Sequence, residues 1–164
     1  MKIMLKKILI GFVVLASFTG CLKSGNFPDP CDYDPCEFKA PDAEIQNVQT
    51  YLTANSIPAI QHCSGLFYVI ETQGTGANPQ TCSNINVKYE GRLTNGTLFD
   101  SNSQGVTFNL SEVINGWRNA LPVLKAGGRM HLFVPPSLGY GSSAVGSIPP
   151  HSILVFTIDL VAVQ

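Results

Sequence analysis

The sequence predicts an α+β domain in which a curved antiparallel sheet of five to six strands wraps around one short helix, with a helical extension in front. Three observations carry that prediction. From about residue 65 to the C-terminus, stretches rich in Val, Ile, Phe and Tyr alternate apolar with polar residues, as half-buried strands do. One helical segment interrupts them near Trp117, the only tryptophan, and places Val113, Ile114 and Trp117 on one face. An apolar helix face amid strands needs a sheet to cover it. Ahead of the strands, Ile45, Val48 and Leu52 share a face of a second helix.

Taken from the N-terminus, residues 1–20 read as a signal peptide. Lys2, Lys6 and Lys7 precede the apolar run 8–16, which is too short for a stable spanning anchor. Phe18-Thr-Gly-Cys21 resembles a bacterial lipoprotein cleavage box, with Phe18 where leucine is usual. Cys21 would then be the acylated first residue of the mature chain. Each buried methylene of an acyl chain contributes about 0.8 kcal/mol, so a multiply acylated Cys21 anchors the protein to a membrane without spanning it. The expected location is the bacterial cell envelope, on the outer membrane facing the periplasm or at the cell surface.

The whole chain of 164 residues has 10 basic and 11 acidic side chains, is 45% hydrophobic and 13% charged, and suits one domain with a proper core. Loss of Lys2, Lys6 and Lys7 leaves seven basic residues of the 10 against 11 acidic, a net charge near −4. That balance argues against nucleic acid or anionic lipid as a partner.

Residues 21–41 carry prolines and acidic side chains without an apolar period and read as a solvated tether. Asp29, Asp32, Asp34 and Glu37 miss the EF-hand pattern. Cys31, Cys36, Cys63 and Cys82 form an even set in an exported chain, which points to disulfides. The preferred pairing is Cys63 with Cys82 and Cys31 with Cys36, among the three that four cysteines allow. The Cys31-x4-Cys36 spacing lacks a zinc knuckle, and no metal site is expected.

Residues 42–58 form the N-terminal helical segment, bounded by Asp42 in front and by Asn55 and Pro58 behind. Residues 59–164 form the main domain. Within it, 65–71 is apolar and aromatic, and Ile85, Val87, Tyr89 and Leu93 alternate with Asn86, Lys88, Glu90 and Arg92. Asn95-Gly96 marks a hairpin turn. Residues 106–110 lead into a helix expected over about 112–120, with Ser111 as its N-cap, Glu112 at its positive end and Pro122 closing it. Residues 129–134 and 153–163 are further strands, the last with Leu154, Phe156, Ile158 and Leu160 on one face. The loop 135–150 between them is long enough to expect a function of its own.

No serine has a histidine and carboxylate partner by motif, and His62, His131 and His151 form no cluster, so hydrolase chemistry has no support. Gly74-Thr-Gly76 and Gly127-Gly128 lack the lysine and helix of a phosphate loop. What remains is an aromatic and aliphatic set with one carboxylate. By composition alone most of it reads as core.

Five blocks, in order, carry a more specific reading: Tyr89-Glu-Gly-Arg-Leu93, Asn95-Gly-Thr-Leu-Phe-Asp-Ser101, Glu112-Val-Ile-Asn-Gly-Trp117, Tyr140-Gly141 and Ile148-Pro-Pro-His-Ser-Ile-Leu-Val-Phe156. Together they resemble the FKBP-type peptidyl-prolyl isomerases over about the last hundred residues. The resemblance implies an FKBP-like fold, no cofactor, and isomerase action on X-Pro bonds of exported polypeptides. It implies Trp117 as the floor under a proline ring, Tyr89, Phe99, Phe108 and Phe156 as walls, and Val113 and Ile114 as rim. The Tyr140 hydroxyl and the Ile148 N–H would hold substrate carbonyls. Asp100 would act on the twisted imide or orient Tyr89. Ala144 stands where the family often has histidine and Ser147 where it has isoleucine, so the loop is less apolar. Many bacterial members of that family also carry helix ahead of the domain, where it can mediate dimerisation. Here that helix is short, which favours packing on its own domain over a homodimer. A non-catalytic chaperone or peptide-binding surface lipoprotein using the same groove is the alternative.

Overall fold

The computed structural model of the protein describes residues 31–164. The expected signal peptide, Cys21 with its acylation, and the first part of the tether lie outside the described residues. Six antiparallel strands form one sheet: β1 (Ile60–Gln61), β2 (Phe67–Thr72), β3 (Asn84–Leu93), β4 (Leu98–Asn109), β5 (Gly128–Val134) and β6 (Leu154–Val163), in the order β1-β2-β5-β6-β3-β4. Two helices join them, α1 (Asp42–Ala54) and α2 (Asn115–Ala120). The sheet around a short helix and the helical extension are those the sequence predicts; β1 is an addition too short to leave a pattern.

Alternation decides the faces. On β6, Leu154, Phe156, Ile158 and Leu160 are buried while the residues between them are not. Their partners on β5 are Val134, Leu132, Met130 and Gly128, and on β3 Leu93, Gly91, Tyr89 and Val87, so one side of the sheet is a continuous apolar surface. Helix α2 lies on that side. A Cβ added to Gly116 would stand 2.6 Å from Val134 Cγ1, so only glycine lets the helix come this close to β5.

Helix α1 buries Ile45, Val48 and Leu52, with Tyr51 half-buried and 6.3 Å from the Phe133 ring. Phe133 points away from α2, so α1 closes the opposite face of the sheet. Asp42 sits in the first turn rather than at the cap, which is Pro41, and Glu44 accepts a 2.8 Å bond from the Ser137 N–H. Gly65, at φ 90°, lets Ile45 pack where a side chain would collide.

Three expectations need correction. The disulfides are Cys31–Cys82 and Cys36–Cys63, not Cys63–Cys82 and Cys31–Cys36. Cys63 lies in the turn between β1 and β2, whereas Cys82 precedes β3, and β5 and β6 stand between those strands. Nearness in sequence is not nearness here, because two later strands insert themselves. The two bridges also fasten residues 31–36 to the domain, and the Ala40 N–H donates to Ser64 O at 2.9 Å, so this part of the tether is packed.

The helix around Trp117 is shorter than expected. Leu110–Glu112 is a 3-10 turn capped by Asn109, whose Oδ1 accepts from the Ser111 N–H; Val113 is extended and Ile114, not Ser111, precedes the helix. Finally, β4 starts at Leu98, directly after the Asn95-Gly96 turn, rather than near residue 106. That turn holds as predicted, with the Leu93 N–H donating to Thr97 O at 2.9 Å and Gly96 at φ 85°.

Candidate functional site: an aromatic cavity over Trp117

The sheet brings four rings around Trp117. In the register of β3 with β4, Gly91 faces Asp100 and Arg92 faces Leu98, which leaves Phe99 as the extra residue of a bulge. Two consecutive side chains, Phe99 and Asp100, thereby turn toward α2. Phe99 lies over Gly91, where a Cβ would stand 2.6 Å from its Cζ, and meets Phe156 edge-on at 5.5 Å. Any larger residue at position 91 would push Phe99 off this wall.

Trp117 is 4% exposed and receives three rings nearly perpendicular to its own: Tyr89 at 5.2 Å, Phe156 at 5.3 Å and Phe108 at 6.0 Å. Such edge-to-face contacts, about 0.5–1.5 kcal/mol each beyond their burial, define the orientation of the indole. Above it opens a cavity of ≈ 360 Å³ lined by Tyr89, Asp100, Phe108, Glu112, Val113, Ile114, Trp117, Tyr140 and Phe156. Two other cavities of similar size lie on the opposite face. One is lined by Lys88, Glu90, Arg129 and Asp159, of which Arg129 and Asp159 are paired with each other, and the other has no ionisable group but His131 and Tyr51.

The polar groups of the Trp117 cavity are few. The Tyr89 hydroxyl donates to Asp100 Oδ2 at 2.7 Å. Burial first, and then that bond and the negative carboxylate, push the Tyr89 phenol well above the usual tyrosine range, so it remains a neutral donor. Tyr140, 39% exposed, stands at the mouth on a loop tied by the Gly141 N–H to Pro136 O and the His151 N–H to Gly141 O, both 2.8 Å. Its hydroxyl has no protein partner among the described residues. No cationic side chain lines the cavity, and among the described residues no group of three or more His, Cys, Asp or Glu is placed to hold a metal.

Eight of the ten expected site residues thus line one cavity, and Phe99 backs its wall. Ile148 differs. Its side chain is 6% exposed and outside the lining, and its N–H donates to Val145 O at 2.9 Å within the loop, so it has no donor to offer a substrate. Ile114 lines the cavity instead, with an N–H that has no acceptor among the described residues. Glu112 is a lining residue to which sequence reasoning gave no part in the site.

Over residues 76–161 the sequence matches the family of FKBP-type peptidyl-prolyl cis-trans isomerases, more than half of the chain. The chain belongs to that family. Among FKBP-type relatives, it is 40% identical over 104 residues to the peptidyl-prolyl cis-trans isomerase FkpA of Aeromonas hydrophila, covering 62% of this chain and 39% of that protein. It is 43% identical over 105 residues to the outer membrane protein MIP of Legionella longbeachae, covering 62% of this chain and 45% of that one. The chain therefore spans less than half the length of these two relatives. A crystal structure of a peptidyl-prolyl cis-trans isomerase from Pseudomonas syringae superposes with a TM-score of 0.67 at 33% identity, over 77% of this chain and 98% of that one. The FKBP-type match begins at residue 76, so α1, β1, β2 and the disulfide-bound segment lie ahead of it.

Proposed function

We propose that this FKBP-type chain is a peptidyl-prolyl cis-trans isomerase of the bacterial cell envelope, acting on X-Pro bonds of exported polypeptides. The observation that supports this most is the cavity: an indole base, aromatic walls, and few hydrogen-bonding side chains. Its ≈ 360 Å³ suits one proline ring with flanking backbone, near the lower end of the roughly 300–1,000 Å³ of small-molecule sites.

Rotation about X-Pro faces a barrier of about 18–20 kcal/mol, because amide resonance must be broken, and needs neither nucleophile nor cofactor. The planar amide is more dipolar than the twisted one, and water favours it. Within dry aromatic walls that advantage is lost, while Trp117, Tyr89, Phe108 and Phe156 hold the ring and the preceding carbonyl turns. Lowering the barrier by about 5 kcal/mol would speed the step by three to four powers of ten. In this reading Val113 and Ile114 are the rim, the Tyr140 hydroxyl holds one substrate carbonyl, and the Ile114 N–H takes the part expected of Ile148. Asp100 orients Tyr89, and Phe99 supports Phe156.

The signal peptide at 1–20 and acylation of Cys21 complete the proposal, with a tether from residue 21 that becomes part of the folded unit by Cys31. The name of the Legionella relative supports an envelope location. A homodimer through α1 has little surface to use: its outward residues Gln46, Asn47, Gln49 and Thr50 are polar, and its apolar face covers the sheet. A protease-coupled proline isomerisation assay on the mature chain with Cys21→Ser tests the activity. Acceleration that disappears in Trp117→Ala supports it; binding of unfolded chains without acceleration would replace it by a holding role.

A further inference from the structure

Trp117 is carried by a helix of six residues that begins without a side-chain cap. So short a helix cannot fix its own orientation and depends on what packs around it. On its sheet side the close contact of Gly116 with Val134 sets the distance. Against its last turn stands a layer that lies ahead of the FKBP-type match. The Tyr33 hydroxyl reaches across 86 positions to donate to Asn119 Oδ1 at 2.6 Å, and the Arg118 guanidinium lies 4.2 Å from the centre of the Tyr33 ring. Asn119 is 1% exposed, so water does not stand in for that bond. Burial, the largest influence, pushes the Tyr33 phenol upward, keeping it a protonated donor.

Tyr33 itself is held from both sides. Cys31 is bonded to Cys82 just before β3, and Cys36 to Cys63 in the turn between β1 and β2. Between them the Cys36 N–H donates to Asp34 Oδ1 at 2.8 Å, tightening the loop. The segment is therefore a strap fastened at both ends, pressing one aromatic side chain on the two residues that follow Trp117.

We propose that Tyr33 is a positioning residue for the cavity: through Asn119 and Arg118 it sets the tilt of α2, and with it the orientation of the Trp117 base. This rests on the isomerase reading for its effect on rate, but not for its effect on Trp117. The only tryptophan in the sequence gives a local readout.

The test compares the full chain in detergent with Tyr33→Phe, which deletes one oxygen and keeps the ring over Arg118, and with Tyr33→Ala. Measured well below the thermal midpoint of each, Tyr33→Phe should lower kcat/KM about fivefold, the factor one net hydrogen bond carries, and shift the Trp117 emission. Tyr33→Ala should do more of both. Lys39→Ala, which removes an exposed 2.9 Å pair with Asp42 in the same segment, should change neither. A strap that only stabilises would lower the midpoint and leave native-state kcat/KM and emission as they are, and that result overturns the proposal. If the wild-type chain lacks isomerase activity, the functional reading falls and the emission alone decides: an unchanged spectrum in both Tyr33 variants overturns the strap.

Discussion

Asp100 is the cavity carboxylate that accepts the Tyr89 hydroxyl, and that 2.7 Å bond suggests how it acts. If it works by orienting Tyr89, then Asp100→Asn and Tyr89→Phe should each lower kcat/KM about tenfold, near 1.4 kcal/mol, and the double variant should fall no further. Additive losses in the isomerisation assay would give Asp100 a separate role. Trp117, Tyr89 and Phe156 were legible because each falls in a block with a known spacing. The Ile148 N–H was not, since its bond to Val145 O is made within one loop turn and leaves no sequence pattern. His62 gives a test of stability. Burial holds it below the ordinary 6.5, so on acidification the unfolded chain takes up a proton first. Stability should hold above that pH and decline below it, and His62→Gln should flatten the decline in thermal melts at stepped pH.

Helix α2 and the bulge of β4 place those residues. Gly116→Ala would drive a methyl into Val134, and overpacking of this kind costs about 1–3 kcal/mol. Chemical denaturation should show that loss together with weaker peptide binding, because the helix carrying Trp117 must lift. The alternating faces of β3 and β6 could be read directly, since each strand has one buried side. The start of α2 could not. Three residues of 3-10 turn followed by extended Val113 keep the apolar spacing of a helix, and Asn109 rather than Ser111 caps the turn. The bulge was equally hidden, because an extra residue shows only when two strands are set in register.

For the molecule as a whole, strand order is the feature that the sequence concealed and the disulfides record. Pairing by nearness fails because β5 and β6, formed last along the chain, lie between the strands that Cys63 and Cys82 adjoin. Proteolytic mapping without reduction should link Cys31 to Cys82 and Cys36 to Cys63. Replacing Cys31 and Cys82 together by serine, which opens a link across 51 positions, should cost about 2–4 kcal/mol of stability, seen as a lower thermal midpoint. Any shortened version must therefore begin before Cys31, or two cysteines lose their partners. The deciding measurement is the rate of cis-to-trans conversion of a proline-containing peptide with the mature Cys21→Ser chain. The account predicts acceleration over the uncatalysed rate that is lost in Trp117→Ala while the fold persists. A wild-type rate equal to the uncatalysed one, or a Trp117→Ala variant that is folded and fully active, would contradict it.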